Sequence, residues 1–161
     1  MPRLLLRILL SLPLVLACAL AQVSDSPQWL TYSGGDGPGK GKRIVLIAAD
    51  QEYRSEQSMP MMAKILSKHH GFECIVLFAV NEKGEVDPTL PVFPERGKEA
   101  EFQKHNIPGL EHLASADQVI FFCRLLTLPM SERELIVKYV DSGKPFIALR
   151  TANHGFHGAL P

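Results

Sequence analysis

Four stretches of the chain are short and largely apolar: Ile44 to Ala49, Glu73 to Val80, Ala116 to Cys123 and Pro145 to Leu149. Runs of this length without alternation fit strands of a parallel sheet, covered on both faces. Between the first two, Met59, Met62, Ala63 and Leu66 recur at helical spacing, and Met61 and Ile65 widen the stripe so that the helix is expected to be well covered. Pro60 is expected in its first turn and Gly71 at its end. Between the last two, Ser131 and Glu134 have the spacing of a capping box, Leu135, Ile136, Tyr139 and Val140 form an apolar stripe, and Gly143 marks the end. Strand, helix, strand, long loop, strand, helix, strand is the alternation of an α/β domain with helices on both faces of a parallel sheet. With right-handed crossovers, a flavodoxin-like sheet in the order 2-1-3-4 is the simplest topology.

Two segments break this rhythm. Residues 22–42 form a lead-in dense in glycine, expected to be extended and mobile. Gly34 to Lys40 mimics a phosphate-binding loop, but Gly41 stands where Ser or Thr should be, and the glycines precede a strand instead of following one. The segment is therefore read as a linker. Residues 81–109 carry Pro88, Pro91, Pro94 and Pro108 among many charges. This Pro-rich excursion is long for a connection in a small domain and is expected to fold over the sheet rim as a lid.

Composition adds an address and removes some functions. Arg3 and Arg7 precede an apolar run from Ile8 to Leu20 that closes with Ala19-Leu20-Ala21, the pattern of a secretory signal peptide over residues 1–21. The run is short for a spanning helix, which needs about 20 residues. A lipoprotein with Cys18 lipidated fits less well, because Leu16 is bulky where a small residue is required. The expectation is export to a periplasmic or extracellular compartment, with no membrane attachment after cleavage. Lys+Arg and Asp+Glu are both 17, so no basic excess suggests nucleic acid as a partner. Cys74 and Cys123 fall on strands with one strand between them, about 9.5 Å apart from strand spacing. That is beyond the ~7 Å α-carbon limit of a disulfide, so none is expected.

Candidate chemistry follows from topology. Ligands of open parallel sheets bind beyond the carboxyl ends of the strands, where the strand order reverses. The first strand delivers Asp50, Glu52, Tyr53 and Arg54 there, the third Cys123 and Arg124, and the fourth Arg150, Thr151, Asn153 and His154. Polar loops at a surface are ordinary. Two arginines directly after neighbouring apolar strands are less so, because each starts half-buried and needs a partner, for which Asp50 and Glu52 are the obvious choices. His154, aided by Glu52 or Asp50, is the candidate proton-transfer group. Tyr53, Arg54, Arg124, Arg150, Thr151 and Asn153 are the candidate substrate-binding residues. His154 and His157 have H-x-x-H spacing, too weak a signal to assign a metal. His69 and His70 suit a helix C-terminus, His105 and His112 have no partner that spacing identifies, and Cys123 reads as a buried, inert thiol. With only Thr151 as a hydroxyl, the turn after the fourth strand argues against a nucleophile-elbow hydrolase.

The same stretches carry a family resemblance. Gly37-Pro38-Gly39-Lys40-Gly41-Lys42, Asp50-Gln51-Glu52-Tyr53-Arg54-Ser55-Glu56, Lys68-His69-His70-Gly71-Phe72, Ile107-Pro108-Gly109-Leu110 and Leu149-Arg150-Thr151-Ala152-Asn153-His154-Gly155-Phe156 together resemble the ThuA-like (trehalose-utilisation) family of exported bacterial proteins. The resemblance implies a class I glutamine amidotransferase-like domain over residues 43–161. The turn from Arg150 to His154 lacks the cysteine of the glutaminases, so amidotransferase activity is not implied. It implies a carbohydrate or oxidised sugar derivative as ligand and names no cofactor. Family domains run longer than this chain, so the sheet is expected to be incomplete on its C-terminal side. The alternatives are a non-catalytic carbohydrate-binding or interaction module, and a truncated product without activity.

Overall fold

The computed structural model describes residues 28–81, 83–86 and 105–156. The proposed signal segment, His157 and most of the Pro-rich excursion lie outside the described residues. Five strands form one sheet: β1 (Trp29–Tyr32), β2 (Arg43–Ala49), β3 (Glu73–Phe78), β4 (Gln118–Cys123) and β5 (Phe146–Ala148). Helix α1 (Ser55–His70) connects β2 to β3, and α2 (Met130–Asp141) connects β4 to β5. The spatial order is β1-β3-β2-β4-β5, not a four-strand 2-1-3-4. β2 pairs in parallel with β3 on one side and β4 on the other, and β4 pairs in parallel with β5.

β1 accounts for the corrected order. It lies inside the glycine-rich lead-in and pairs antiparallel with β3, Trp29 opposite Leu77 and Tyr32 opposite Cys74. Its four residues are half-exposed or exposed and carry no buried apolar signal. Nor is the following glycine run a mobile linker. It packs against the turn from α1 to β3, where a β-carbon on Gly34 would lie 2.5 Å from the Gly71 carbonyl oxygen.

The central strands are apolar throughout because both their faces are covered. From Ile44 to Ala49 no residue is more than 3% exposed. Val45, Ile47 and Ala49 join Phe121 and Cys123 under Ile136 and Tyr139 of α2 and under Leu110 and Leu113 of a short 3-10 helix, Leu110–Ser115. Ile44, Leu46 and Ala48 join Val76 and Ile120 under Met59 and Ala63 of α1. This two-residue alternation between covers is what a strand's geometry requires.

The helices differ from expectation at their edges. α1 begins at Ser55, so Pro60 stands beyond the first turn, and Met61 and Ile65 face solvent at 63% and 49% exposure. Gly71, at φ 81°, ends it: the Gly71 and Phe72 amides reach back to the carbonyls of Ser67 and Leu66. α2 has no capping box. Pro129 occupies its cap position and no side chain bonds there. Of its expected stripe only Ile136 and Tyr139 are buried, while Leu135 and Val140 are exposed. β5 is also exposed along its length. The end of the excursion returns to the core: Asn106 bridges Val80, and Ile107 and Leu110 are fully buried.

Candidate functional site

β2, β4 and β5 are parallel neighbours, so their carboxyl ends share one rim. The chain leaves β2 toward β3 on one side while β4 lies on the other, which makes the β2–β4 boundary the switch point. Three contacts tie together the loops leaving these strands. Asp50, 1% exposed, accepts the Tyr53 amide proton on Oδ1 and the Thr151 hydroxyl on Oδ2. Glu52 and Arg124 form an ion pair with Oε2 and Nε 2.8 Å apart. The Arg150 guanidinium lies over the Tyr53 ring, its Cζ 3.7 Å from the centroid. The loop after β4 is also zipped to the segment after β5, since Leu125 and Leu126 donate their amides to the carbonyls of His154 and Gly155.

The candidates therefore separate into groups. Asp50, Glu52, Tyr53, Arg124, Arg150 and Thr151 come together. Both carboxylate oxygens of Asp50 are engaged, and Ser55 Oγ bonds its amide and carbonyl. Asp50 is thus the knot that holds two loops in place, not a carboxylate free to take a substrate proton. Arg54 turns back to Glu56 in its own turn, 2.6 Å away. Asn153 and His154 are exposed, and His154 is linked to the rim through its backbone carbonyl.

Electrostatics follow from these contacts. The contact with Tyr53, then the nearby Asp50 and Glu52 carboxylates, outweigh burial and push the Arg150 guanidinium further up from an already high value. Arg150 is a permanent cation on this rim. Burial, and then the Asp50 charge, pushes the Cys123 thiol upward, and burial with Glu73 raises Cys74 to about 11. Both are free, buried, protonated thiols without nucleophilic character. Among the described residues no three metal-ligating side chains come together.

Charge alone does not mark this rim. The opposite rim has its own pairs, Arg43–Glu73 at 2.8 Å and Lys42–Asp117 at 3.2 Å. Backbone conformation does distinguish the two. Among the described residues, the non-glycine residues with positive φ are Arg54 at 55°, Leu125 at 48° and Arg150 at 47°. They lie in the loops leaving β2, β4 and β5, all on the carboxyl rim. Left-handed geometry costs an L-residue about 1–2 kcal/mol. Such strain persists only where the surroundings enforce it, and it concentrates at functional sites.

A second polar group borders the same rim and was not assembled from spacing. His105 is 3% exposed and exchanges two bonds with Thr127: its amide donates to the Thr127 carbonyl, and its Nδ1 accepts the Thr127 amide proton. Its Nε2 faces the Gln51 side-chain amide at 3.4 Å. Gln51 and His105 are 54 residues apart in the chain, and the only local signal was a histidine without an evident partner.

Shallow concavities of about 460 and 180 Å³ lie elsewhere, along the outer face of α2 and between α2 and the 3-10 helix. Neither is lined by a non-glycine residue of positive φ. Compared with models of known protein families, with curated proteins and with solved structures, the chain matches none.

Proposed function

We propose that this is an exported ThuA-like protein, with a flavodoxin-like sheet of the class I glutamine amidotransferase-like kind, that binds a carbohydrate or oxidised sugar derivative at the carboxyl rim of β2, β4 and β5. The observation that carries the reading is the concentration of left-handed Arg54, Leu125 and Arg150 on that rim. Tyr53 and Arg150 supply the chemistry. A tyrosine beside a guanidinium suits a ligand with an apolar ring face and peripheral oxygens, and the planar fork of Arg150 suits a carboxylate or keto oxygen. Arg124 is paired with Glu52 on the same rim.

Saturation-transfer NMR on the full chain, with trehalose and glucuronate as probes, tests this. Transfer to at least one sugar is expected, and loss of transfer in Tyr53→Ala and Arg150→Ala. No transfer to either sugar, or transfer undiminished in both variants, overturns the reading.

A non-catalytic binding module is the second reading. It is favoured by the engagement of both Asp50 oxygens and by the exposed position of His154. If His154→Ala keeps binding but loses turnover of a bound sugar, the protein is an enzyme with His154 moving the proton. If the unaltered protein binds without turnover, it is the module.

A further inference from the structure

Both ring nitrogens of His105 face nitrogen, and this settles its protonation. Nδ1 lies 3.2 Å from the Thr127 amide nitrogen, a fixed donor, so Nδ1 carries no proton. A neutral imidazole must then carry its proton on Nε2. Nε2–H cannot donate to an NH2 group, so the Gln51 amide must present its oxygen to His105 at the 3.4 Å contact. The same assignment gives Gln51 Oε1, otherwise buried and unbonded, a partner, and turns the NH2 group into the position the oxygen leaves. His105 is thus a neutral bridge between the turn after β2 and the loop after β4. A second proton on Nδ1 would set N–H against N–H at Thr127 and place a charge in a buried site.

The charged groups on the elements around it do not offset that cost. Glu52 and Arg124 are paired with each other. From α2, Glu132 takes the Ile107 amide proton and Arg133 donates to the Leu128 carbonyl. Among the described residues no carboxylate lies within ion-pair distance of the imidazole. Burial is the cause that lowers its proton affinity.

We propose that His105 is an acid-released latch that pins the Gln51 and Thr127 loops together beside the candidate site. Above the ordinary histidine range the latch is closed. Protonation breaks the Nδ1 bond and frees the Thr127 amide, so the loop after β4 parts from the imidazole, which keeps its Nε2–H bond to Gln51. This does not depend on what the rim binds.

Nitrogen-detected imidazole NMR on the full chain, followed from pH 7.5 to 4.5, reads the latch directly. The Nε2–H tautomer is expected at pH 7.5, with a midpoint below the ordinary value of about 6.5. Hydrogen exchange at the Thr127 amide, corrected for intrinsic rate, should rise at least ~10-fold through that midpoint, the signature of local opening. In His105→Asn, whose side-chain oxygen can replace Nδ1 as acceptor, that rise should vanish. The Nδ1–H tautomer at pH 7.5, a midpoint at or above ~6.5, or titration without faster exchange at Thr127 each overturns the proposal. The first two readouts need only the unaltered protein, so the test survives if the variant fails to fold.

Discussion

Thr151 gives its hydroxyl proton to Asp50 across 101 residues of chain, and both side chains are buried. One hydrogen bond therefore joins the loop after β2 to the turn after β5 and seats Tyr53 beneath Arg150. Thr151→Val keeps the shape and removes the donor, leaving a buried carboxylate oxygen unsatisfied. A loss of about 2 kcal/mol in urea unfolding is expected, with Thr151→Ser recovering most of it. A loss under ~0.5 kcal/mol would show that water replaces the hydroxyl.

Arg54 tests the strain separately from the contacts. It is exposed, left-handed at φ 55° and ψ 47°, at the cap position of α1, and its ion pair with Glu56 is local. Glycine relieves about 1–2 kcal/mol of left-handed strain and returns part of that as unfolded-chain entropy. The exposed pair contributes little. Arg54→Gly should raise stability by ~0.5 kcal/mol and Arg54→Ala should not. Equal thermal midpoints for the two variants would remove backbone strain as an argument for the site.

Gly155 is required by space, not by conformation, since its φ of −68° suits any residue. A β-carbon there would run into the sulfur of Cys123. Gly155→Ala should cost ~1–3 kcal/mol through overpacking. Adding Cys123→Ala should recover much of that loss, giving a coupling in the double-mutant cycle above ~0.5 kcal/mol. Additive losses would mean the backbone, not the sulfur, obstructs the methyl group.

His105 also makes global stability depend on pH. Its proton affinity is lowered in the folded chain, so as pH falls below the unfolded value of about 6.5 the unfolded chain takes up its proton first. The contribution is fully present above that value and is lost as pH falls toward and through the folded value. Glu132 acts in the opposite sense: burial raises its carboxyl above 4.5, so its contribution is present at lower pH and is lost as pH rises through the folded value. Asp117 is lowered from 3.8, chiefly by the Arg43 amide, so its contribution is lost only under more acid conditions. Urea midpoints of the unaltered protein and His105→Asn, compared at pH 7.5 and 5.5, isolate the histidine. The gap between them should shift against the unaltered protein as pH falls, and a constant gap would remove His105 as the cause.

How much of this was legible in the chain follows from where each interaction is made. Strands β2, β3 and β4 are buried on two faces, so nearly every residue is apolar and the pattern is complete within six or seven positions. α1 and its glycine stop are likewise local. The positions from Asp50 to Tyr53, Arg124, and Arg150 with Thr151 could be assigned to one rim because parallel strands put their carboxyl ends together. β1 could not be read. It is held by backbone bonds to β3, and its side chains are not buried enough to leave a pattern. The capping box at Ser131 failed for a related reason. The acidic residue that does work at that end of α2, Glu132, takes the amide of Ile107 from another segment.

The sequence by itself determined an α/β sheet, its central strands and the rim on which the candidate chemistry gathers, because burial and strand direction are written locally. Only the tertiary structure decided that Asp50 is a knot, that Arg150 lies over Tyr53 and that His105 bridges Gln51 and Thr127. Each of these depends on partners from distant segments, and a side chain's role there is set by the donors, acceptors and charges the fold brings to it.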